Sequence, residues 1–459
     1  MSRNVDIPRK ICYEMLFDVF EKGGYANLVI KQHYRSDLML SDLDKNFVTA
    51  MFYGVITYSF TIDFYINRSA GAKSGKITAP VRILLRMGVW QLLFSRSIPP
   101  FAAVSTTVDL AKIITNPGGV GMVNAVLRSI ANDADAILGE IETAKFDVKY
   151  SLSKEISGLL IKWYGRKKAE SIAASFLLQP ETTARVNILR NDSQALKEKL
   201  EADGAGVQDG RFASQALRLR LGSKSIEELD AFREGLFMIQ DEAAMMASVI
   251  ADPHPGERVL DICSAPGGKS CHLAELSGDQ AEIVSLDIHE GRLALVQQNA
   301  DRLGLSSVRI GVSDATALDL EHPEWIGKFD IVVVDVPCSG LGLLKRKPDI
   351  RLTSNYERIM SLLPLQTEIL RKASLFVRPG GILVYCTCTI NPDENDGQVD
   401  LFLSSDSGFV SESFVKLLPQ KLIEINQRHT ASAEKGRLLL LPDEDGCDGF
   451  FIAKMRRTE

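Results

Sequence analysis

Arg258-Val259-Leu260-Asp261-Ile262-Cys263-Ser264-Ala265-Pro266-Gly267-Gly268-Lys269 reads as a short apolar strand running straight into a glycine-rich loop. Glycines let a backbone approach a ligand closely. Outward from this stretch the pattern repeats. Strand-like runs at 258–262, 283–287, 308–312, 330–335 and 381–385 alternate with helical segments, notably 291–303 and 363–376. That alternation predicts a doubly wound α/β sheet, parallel through most of its width. Ligands of such sheets bind outside the carboxyl ends of the strands. Asp261, Asp287, Asp314 and Asp335 close the first four strands there. The last two runs, 437–441 and 449–454, are joined by an acidic, Gly-containing loop and predict an antiparallel hairpin on the sheet edge.

The first part of the chain has a different period. Ile11, Cys12, Met15, Leu16, Val19 and Phe20 recur at helical spacing, with Pro8 suited to the first turn and Gly23-Gly24 to the stop. Ser41-Asp42-Leu43-Asp44 resembles a capping box with Asp in place of Glu. Further helices are expected at 81–94, 102–114 and 122–130, with Asn116-Pro117-Gly118-Gly119 as a turn. An all-α bundle over 1–144 follows. Residues 145–235 mix helical segments with short strands at 184–188 and 217–221, a small α+β module. The α/β domain takes 236–459.

The 459 residues carry a net charge of −6, 45% hydrophobic and 24% charged residues, an ordinary balance for a globular protein. No run reaches the roughly 18 apolar residues of a membrane span, and Met1–Pro8 lacks the apolar core of a secretory signal. A cytoplasmic protein without membrane contact is expected. Seven cysteines without regular spacing make neither a disulfide framework nor a zinc site, so no metal is expected and the thiols should be reduced. Net acidity does not exclude nucleic acid, because binding needs only a local basic surface. Residues 1–140 hold 15 Lys/Arg against 12 Asp/Glu. Another basic cluster, Lys345-Arg346-Lys347, shares a loop with Cys338, where cations could hold a phosphate backbone. Nothing in the residues sets an oligomeric state; a monomer is the expectation.

Two cysteines fall where the sheet would deliver them to one pocket. Cys338 lies in Asp335-Val336-Pro337-Cys338-Ser339-Gly340 and Cys388 in Tyr385-Cys386-Thr387-Cys388-Thr389, each just past an apolar strand. Cysteines are often buried as small hydrophobes, but two in turn-like sequences at strand ends point to covalent chemistry beside a bound cofactor. Three cofactor classes compete. A phosphate loop needs G-x-x-x-x-G-K-[ST], whose first glycine would fall at Cys263, and Pro266 removes one N–H from the cradle. The dinucleotide fingerprint G-x-G-x-x-G is absent. S-adenosylmethionine fits better, with ribose hydroxyls for Asp287, an adenine amine for Asp314 and a cationic sulfonium that suits acidic surroundings.

These motifs resemble the RNA cytosine-5 methyltransferase family (the NOL/NOP/Sun group). The resemblance is carried by the stretch from Asp261 to Lys269, by Asp335-Val336-Pro337-Cys338-Ser339-Gly340 and by Thr387-Cys388-Thr389. Further matches are Gln240-Asp241-Glu242, Lys347-Pro348-Asp349, Pro392-Asp393-Glu394-Asn395 and Asp448-Gly449-Phe450-Phe451. Residues 1–144 resemble a NusB-type RNA-binding domain, including Asn124-Ala125-Val126-Leu127-Arg128. The combination is similar to the bacterial Sun/RsmB group, which methylates small-subunit ribosomal RNA. Departures are small: Val336 and Ser264 where Ala is usual, Cys386 and Thr389 where Ser is frequent.

The resemblance implies a multidomain chain ending in a Rossmann-like methyltransferase domain. It implies S-adenosylmethionine held by Cys263, Ser264, Ala265, Pro266, Gly267, Gly268, Lys269, Asp287, Asp314 and Asp335. It selects Cys388 as the nucleophile that adds to carbon 6 of cytosine, leaves Cys386 to packing, and gives Cys338 a role in product release. Asp335 could line the cofactor pocket or bond the cytosine ring. Lys269 could position the methionine carboxylate or pair with a strand-end Asp. Lys345, Arg346, Lys347 and Arg351 are candidate contacts to RNA phosphates. The competing reading is a non-catalytic RNA-binding or ribosome-assembly factor on a methyltransferase scaffold. A methyltransferase for exocyclic amines or protein would show Asn/Asp-Pro-Pro-aromatic where Asp335-Val336-Pro337-Cys338 stands.

Overall fold

The computed structural model describes residues 6–36, 40–95, 97–222, 224–405 and 408–458. Met1–Val5, within the stretch read for a leader, lies outside them. The chain divides into two compact units, Met1–Leu177 with Lys347–Ser354, and Leu178–Arg346 with Asn355–Glu459.

The first unit is helical. Asp6 caps Ile7–Lys22 by accepting from the Arg9 N–H, and Gly23 ends it with φ +69, a left-handed geometry that glycine adopts without a Cβ penalty. Ser41 and Asp44 form a reciprocal capping box at the start of Asp42–Thr57. The helices Ala79–Leu93 and Pro100–Ile114 follow the expected periodicity. The expected turn at Asn116–Gly119 is instead a helix start. The Asn116 side chain accepts from the Gly119 N–H, and Pro117 opens Pro117–Asn132. Proline suits a first turn because its missing N–H would be unpaired there anyway. Cys12, Met51, Phe52, Ile83, Leu84 and Leu127 are fully buried in one core. Among the described residues no single helix is long and apolar enough to cross a membrane.

The second unit holds two sheets. The smaller contains β1 (Thr182–Val186), β2 (Gly206–Asp209), β3 (Ala216–Arg220) and β4 (Phe237–Ile239), in the order β2-β3-β1-β4 and antiparallel. β2 and β4 escaped the sequence reading. β2 is mostly exposed and β4 has three residues, so neither shows a period of two.

The larger sheet contains β5 (Arg258–Ile262), β6 (Glu282–Asp287), β7 (Val308–Val312), β8 (Phe329–Asp335), β9 (Val377–Thr387), β10 (Phe409–Ser411), β11 (Arg437–Leu440) and β12 (Phe450–Arg457). Its order is β10-β12-β9-β8-β5-β6-β7, with β11 also paired to β12. Strands β5 to β9 run parallel and β12 is antiparallel to β9. The C-terminal hairpin of β11 and β12 is present at one edge of the sheet, where β10 also pairs with β12. β10 is too short to read from pattern. Alternate residues of the central strands enter two cores. Val259, Ile331, Val333 and Val384 face one; Leu260, Val332, Val334 and Leu383 face the other. Burial on both faces explains why these strands read as continuous apolar runs.

Candidate active site

The carboxyl ends of β5 to β9 carry the loop Cys263–Lys269, Asp287, Asp314, Asp335, Cys338 and Cys388. β5 delivers Cys263 with φ +61, a left-handed conformation that few non-glycine residues adopt and that clusters at functional loops. Gly267 follows at φ +95 and opens the helix Gly268–Leu276. The loop is braced from the next strand. Asp287 accepts from the Ala265 N–H at 3.3 Å and the His289 N–H at 3.0 Å, while Arg292 donates to the Ala265 carbonyl at 2.8 Å. Asp261, fully buried, accepts from the Ser270 hydroxyl at 2.5 Å, and burial lifts its carboxyl to about 7. Asp314 accepts from the N–H and hydroxyl of Thr316 at 2.9 and 2.8 Å, so one of its oxygens shapes its own turn.

Lys269 connects the loop to the thiol-bearing strands. Its ammonium meets Asp335 Oδ2 at 2.5 Å and lies 5.2 Å from the Phe450 ring centre. Burial works against the Lys269 charge, but the Asp335 carboxylate outweighs it and raises the pKa. Lys269 thus pairs with a strand-end aspartate.

Cys338 and Cys388 follow neighbouring strands, and their Sγ atoms stand 3.2 Å apart. All seven cysteines are free. The Cys338 thiol is pushed well above its ordinary value, first by its hydrogen bond to Cys388, then by burial and the nearby charges of Glu394 and Asp335. Either sulfur of this pair can be the donor to the other. Cys386, on β9 itself, is fully buried in the core with its thiol 3.6 Å from the Val334 carbonyl. Burial raises its pKa far out of reach. A sulfur that cannot ionise is a poor nucleophile, which leaves Cys386 to packing.

The four candidate RNA contacts are not alike. Lys347 is exposed and Lys345 half-buried. Arg346 is pinned, donating to Asp448 at 2.8 Å, to Asp241 at 3.0 Å and to the Glu181 carbonyl at 3.1 Å. Arg351, 1% exposed, donates to the carbonyls of Thr57 and Ser151 at 2.6 and 3.0 Å. Burial lowers its pKa to about 10. Both arginines have a structural occupation, in contrast to the exposed Lys347. The basic run in the sequence gives no hint of this, because the paired acids and carbonyls are far away along the chain.

Two groups beyond the expected residues hold the site. Arg185 on β1 donates to Glu275 at 3.1 and 2.8 Å and to the Gly268 carbonyl at 2.7 Å, with Arg185 and Glu275 both inaccessible to water. Glu394, also fully buried, bonds to the residues that follow both thiols. Arg185 carries no local signal, since a single charged residue in a sequence reads as surface; Glu394 falls within the Pro392–Asn395 motif, which gives it no role.

The residues suit S-adenosylmethionine. Carboxylates stand at successive strand ends, the loop lacks a phosphate cradle, and the hydroxyl of Ser264 is a buried donor without a protein partner among the described residues. Among those residues no group of three His, Cys, Asp or Glu could hold a metal ion.

Comparisons with known proteins agree. Residues 248–456 match the model of the 16S rRNA methyltransferase RsmB/F family, and residues 6–132 match the NusB family. The chain is 34% identical to the probable ribosomal RNA small subunit methyltransferase B of Bacillus subtilis, over 98% of both chains. Its fold resembles the crystal structure of PH0851 over 100% of both chains, with TM-score 0.78 and 23% identity. A methyltransferase homolog from Pyrococcus horikoshii is similar over 68% of this chain and 97% of that one, with TM-score 0.56 and 27% identity. The chain belongs to the RsmB/F family of small-subunit rRNA methyltransferases, carries a NusB-family domain at its N-terminus, and takes its methyl group from S-adenosylmethionine.

Proposed function

We propose that this enzyme methylates carbon 5 of a cytosine in 16S ribosomal RNA through a covalent bond between Cys388 Sγ and carbon 6. The observation that carries the reading is the 3.2 Å approach of Cys338 and Cys388 at the ends of adjacent parallel strands, next to the Lys269–Asp335 pair.

Carbon 5 of cytosine is a weak nucleophile. Addition of the Cys388 thiolate to carbon 6 forms an S–C bond and pushes the ring's π electrons toward carbon 5. One hard step becomes two easier ones. The cofactor, when bound by the loop 263–269 with Asp287 and Asp314, supplies an electrophilic methyl group. Carbon 5 then carries both methyl and hydrogen. Removal of that proton restores the C5–C6 double bond and expels the Cys388 thiolate. Cys338, 3.2 Å away, passes its S–H proton to that departing sulfur and, as the thiolate so formed, takes the carbon 5 proton, so that both cysteines end as thiols. Asp335, held by Lys269, faces the same end of the sheet and can accept from the ring as the adduct gains proton affinity. The base must leave its stack to reach these groups, so single-stranded or loop RNA is the substrate.

The test is transfer of labelled methyl groups to unmodified small-subunit RNA, followed by digestion to nucleosides. Label in 5-methylcytosine is expected; label in any other nucleoside contradicts the assignment. Cys388→Ala should lower transfer by about 10⁴-fold or more while binding S-adenosylmethionine as tightly in a calorimeter. Retained transfer in that variant removes the nucleophile.

A further inference from the structure

Glu394 is a carboxylate with no exposed surface. Among the described residues it meets no cation within ion-pair distance, and neutral donors surround it. Oε2 accepts from the Ser339 backbone N–H at 2.8 Å and the Gln366 amide at 2.9 Å. Oε1 accepts from the Ser339 hydroxyl at 2.5 Å and the Asn391 amide at 3.0 Å. The Thr389 hydroxyl lies 3.5 Å from Oε1 and 2.8 Å from the Ser339 hydroxyl. The Glu394 carbonyl accepts from Tyr385 Oη at 2.7 Å, which ties its backbone to β9.

Burying a charge without a counter-charge is costly unless hydrogen bonds replace its water. The position of the donors gives that cost a use. Ser339 directly follows Cys338, and Thr389 directly follows Cys388. One side chain thus clamps the two segments that carry the thiols. A glutamine cannot substitute, because its NH2 would confront the donors of Ser339 and Gln366.

We propose that Glu394 is a positioning residue that holds the segments of Cys338 and Cys388 in register, and so sets the rate of the step in which one thiol assists the other. This rests on the reading of both cysteines given above. It adds a residue that has no exposed surface of its own.

Phenylarsine oxide tests the register directly and needs neither RNA nor methyl transfer. Its As=O group reacts with two thiols to give two As–S bonds and water, with no oxidant, and does so only where the sulfurs lie side by side. The full-length protein should bind one equivalent, and Cys338→Ala and Cys388→Ala should abolish that binding. In Glu394→Gln we expect the arsenical to bind about tenfold more weakly and kcat to fall about tenfold, with the KM for S-adenosylmethionine and RNA unchanged. Glu394→Asp should recover part of both. A folded Glu394→Gln with wild-type arsenical binding overturns the proposal. Should that variant not fold, Ser339→Ala, which removes one strap only, is read by the same assay. Weaker arsenical binding supports the clamp, and unchanged binding overturns it. Active Cys388→Ala would sink the nucleophile reading instead, leaving the arsenical measurement of the clamp intact.

Discussion

Lys269 is the residue on which the cofactor loop and the thiol-bearing strands converge. Lys269→Met leaves Asp335 without its cation at 2.5 Å. Calorimetry should then show S-adenosylmethionine binding weakened by about tenfold or more, since removing one partner of a buried pair strands the other. Equal affinity would separate this pair from the cofactor pocket. Asp261 makes a second prediction. Its carboxyl, raised by burial from 3.8 to about 7, keeps its proton in the fold while the unfolded chain has lost it. The fold therefore loses stability as pH rises from about 4 to about 7, and the loss levels off above that. Asp261→Asn cannot ionise, so its unfolding midpoint should depend less on pH across that window than the parent's; parallel profiles would count against a neutral Asp261. Strand-end aspartates and both thiols were legible from position alone. The roles of Glu394 and Arg185 were not, because what defines them is chiefly partners distant in sequence, Ser339 and Gln366 for the one and Glu275 and Gly268 for the other.

At the scale of elements, two contacts fix the site. Arg185 on β1 joins the smaller sheet to the helix Gly268–Leu276 through Glu275 and the Gly268 carbonyl. Arg185→Met should cost about 3–5 kcal/mol, because Glu275 is left charged and buried. Arg185→Met with Glu275→Leu should recover most of it, read as urea midpoints; an equal loss in the double variant would deny the coupling. The second contact is backbone on backbone. Gly449 donates to the Gly342 carbonyl at 2.9 Å, and Gly342 donates to the Cys388 carbonyl at 3.2 Å. A methyl group at Gly342 would collide with the Gly449 backbone. Gly342→Ala should destabilise by about 1–3 kcal/mol, the usual cost of overpacking, and slow methyl transfer by displacing Cys388. Regular elements were legible where apolar periodicity ran for five residues or more. β2, β4 and β10 were too short for that, and the helix at Pro117 was hidden by its own cap, whose Asn-Pro-Gly composition imitates a turn.

At the scale of the whole molecule, a net charge of −6 must coexist with binding to a polyanion. Local cations are the proposed resolution. Lys345→Ala with Lys347→Ala should weaken RNA binding and flatten the dependence of log K on log salt by about 1.4, two contacts at roughly 0.7 each for single-stranded RNA. Arg346→Ala should instead show up in thermal stability, since its guanidinium is committed to Asp241 and Asp448. The sequence motifs point to the family by themselves, but which cations face outward depends on tertiary pairing. The proposed mechanism converges on a transient bond at Cys388, and the variant lacking the neighbouring thiol tests it most directly. Cys338→Ala, incubated with unmodified small-subunit RNA and S-adenosylmethionine and examined by denaturing electrophoresis and intact mass, should accumulate a protein–RNA adduct that disappears when Cys388→Ala is added. An adduct that persists in the double variant, or none in the single one under conditions where the parent methylates, would contradict the account.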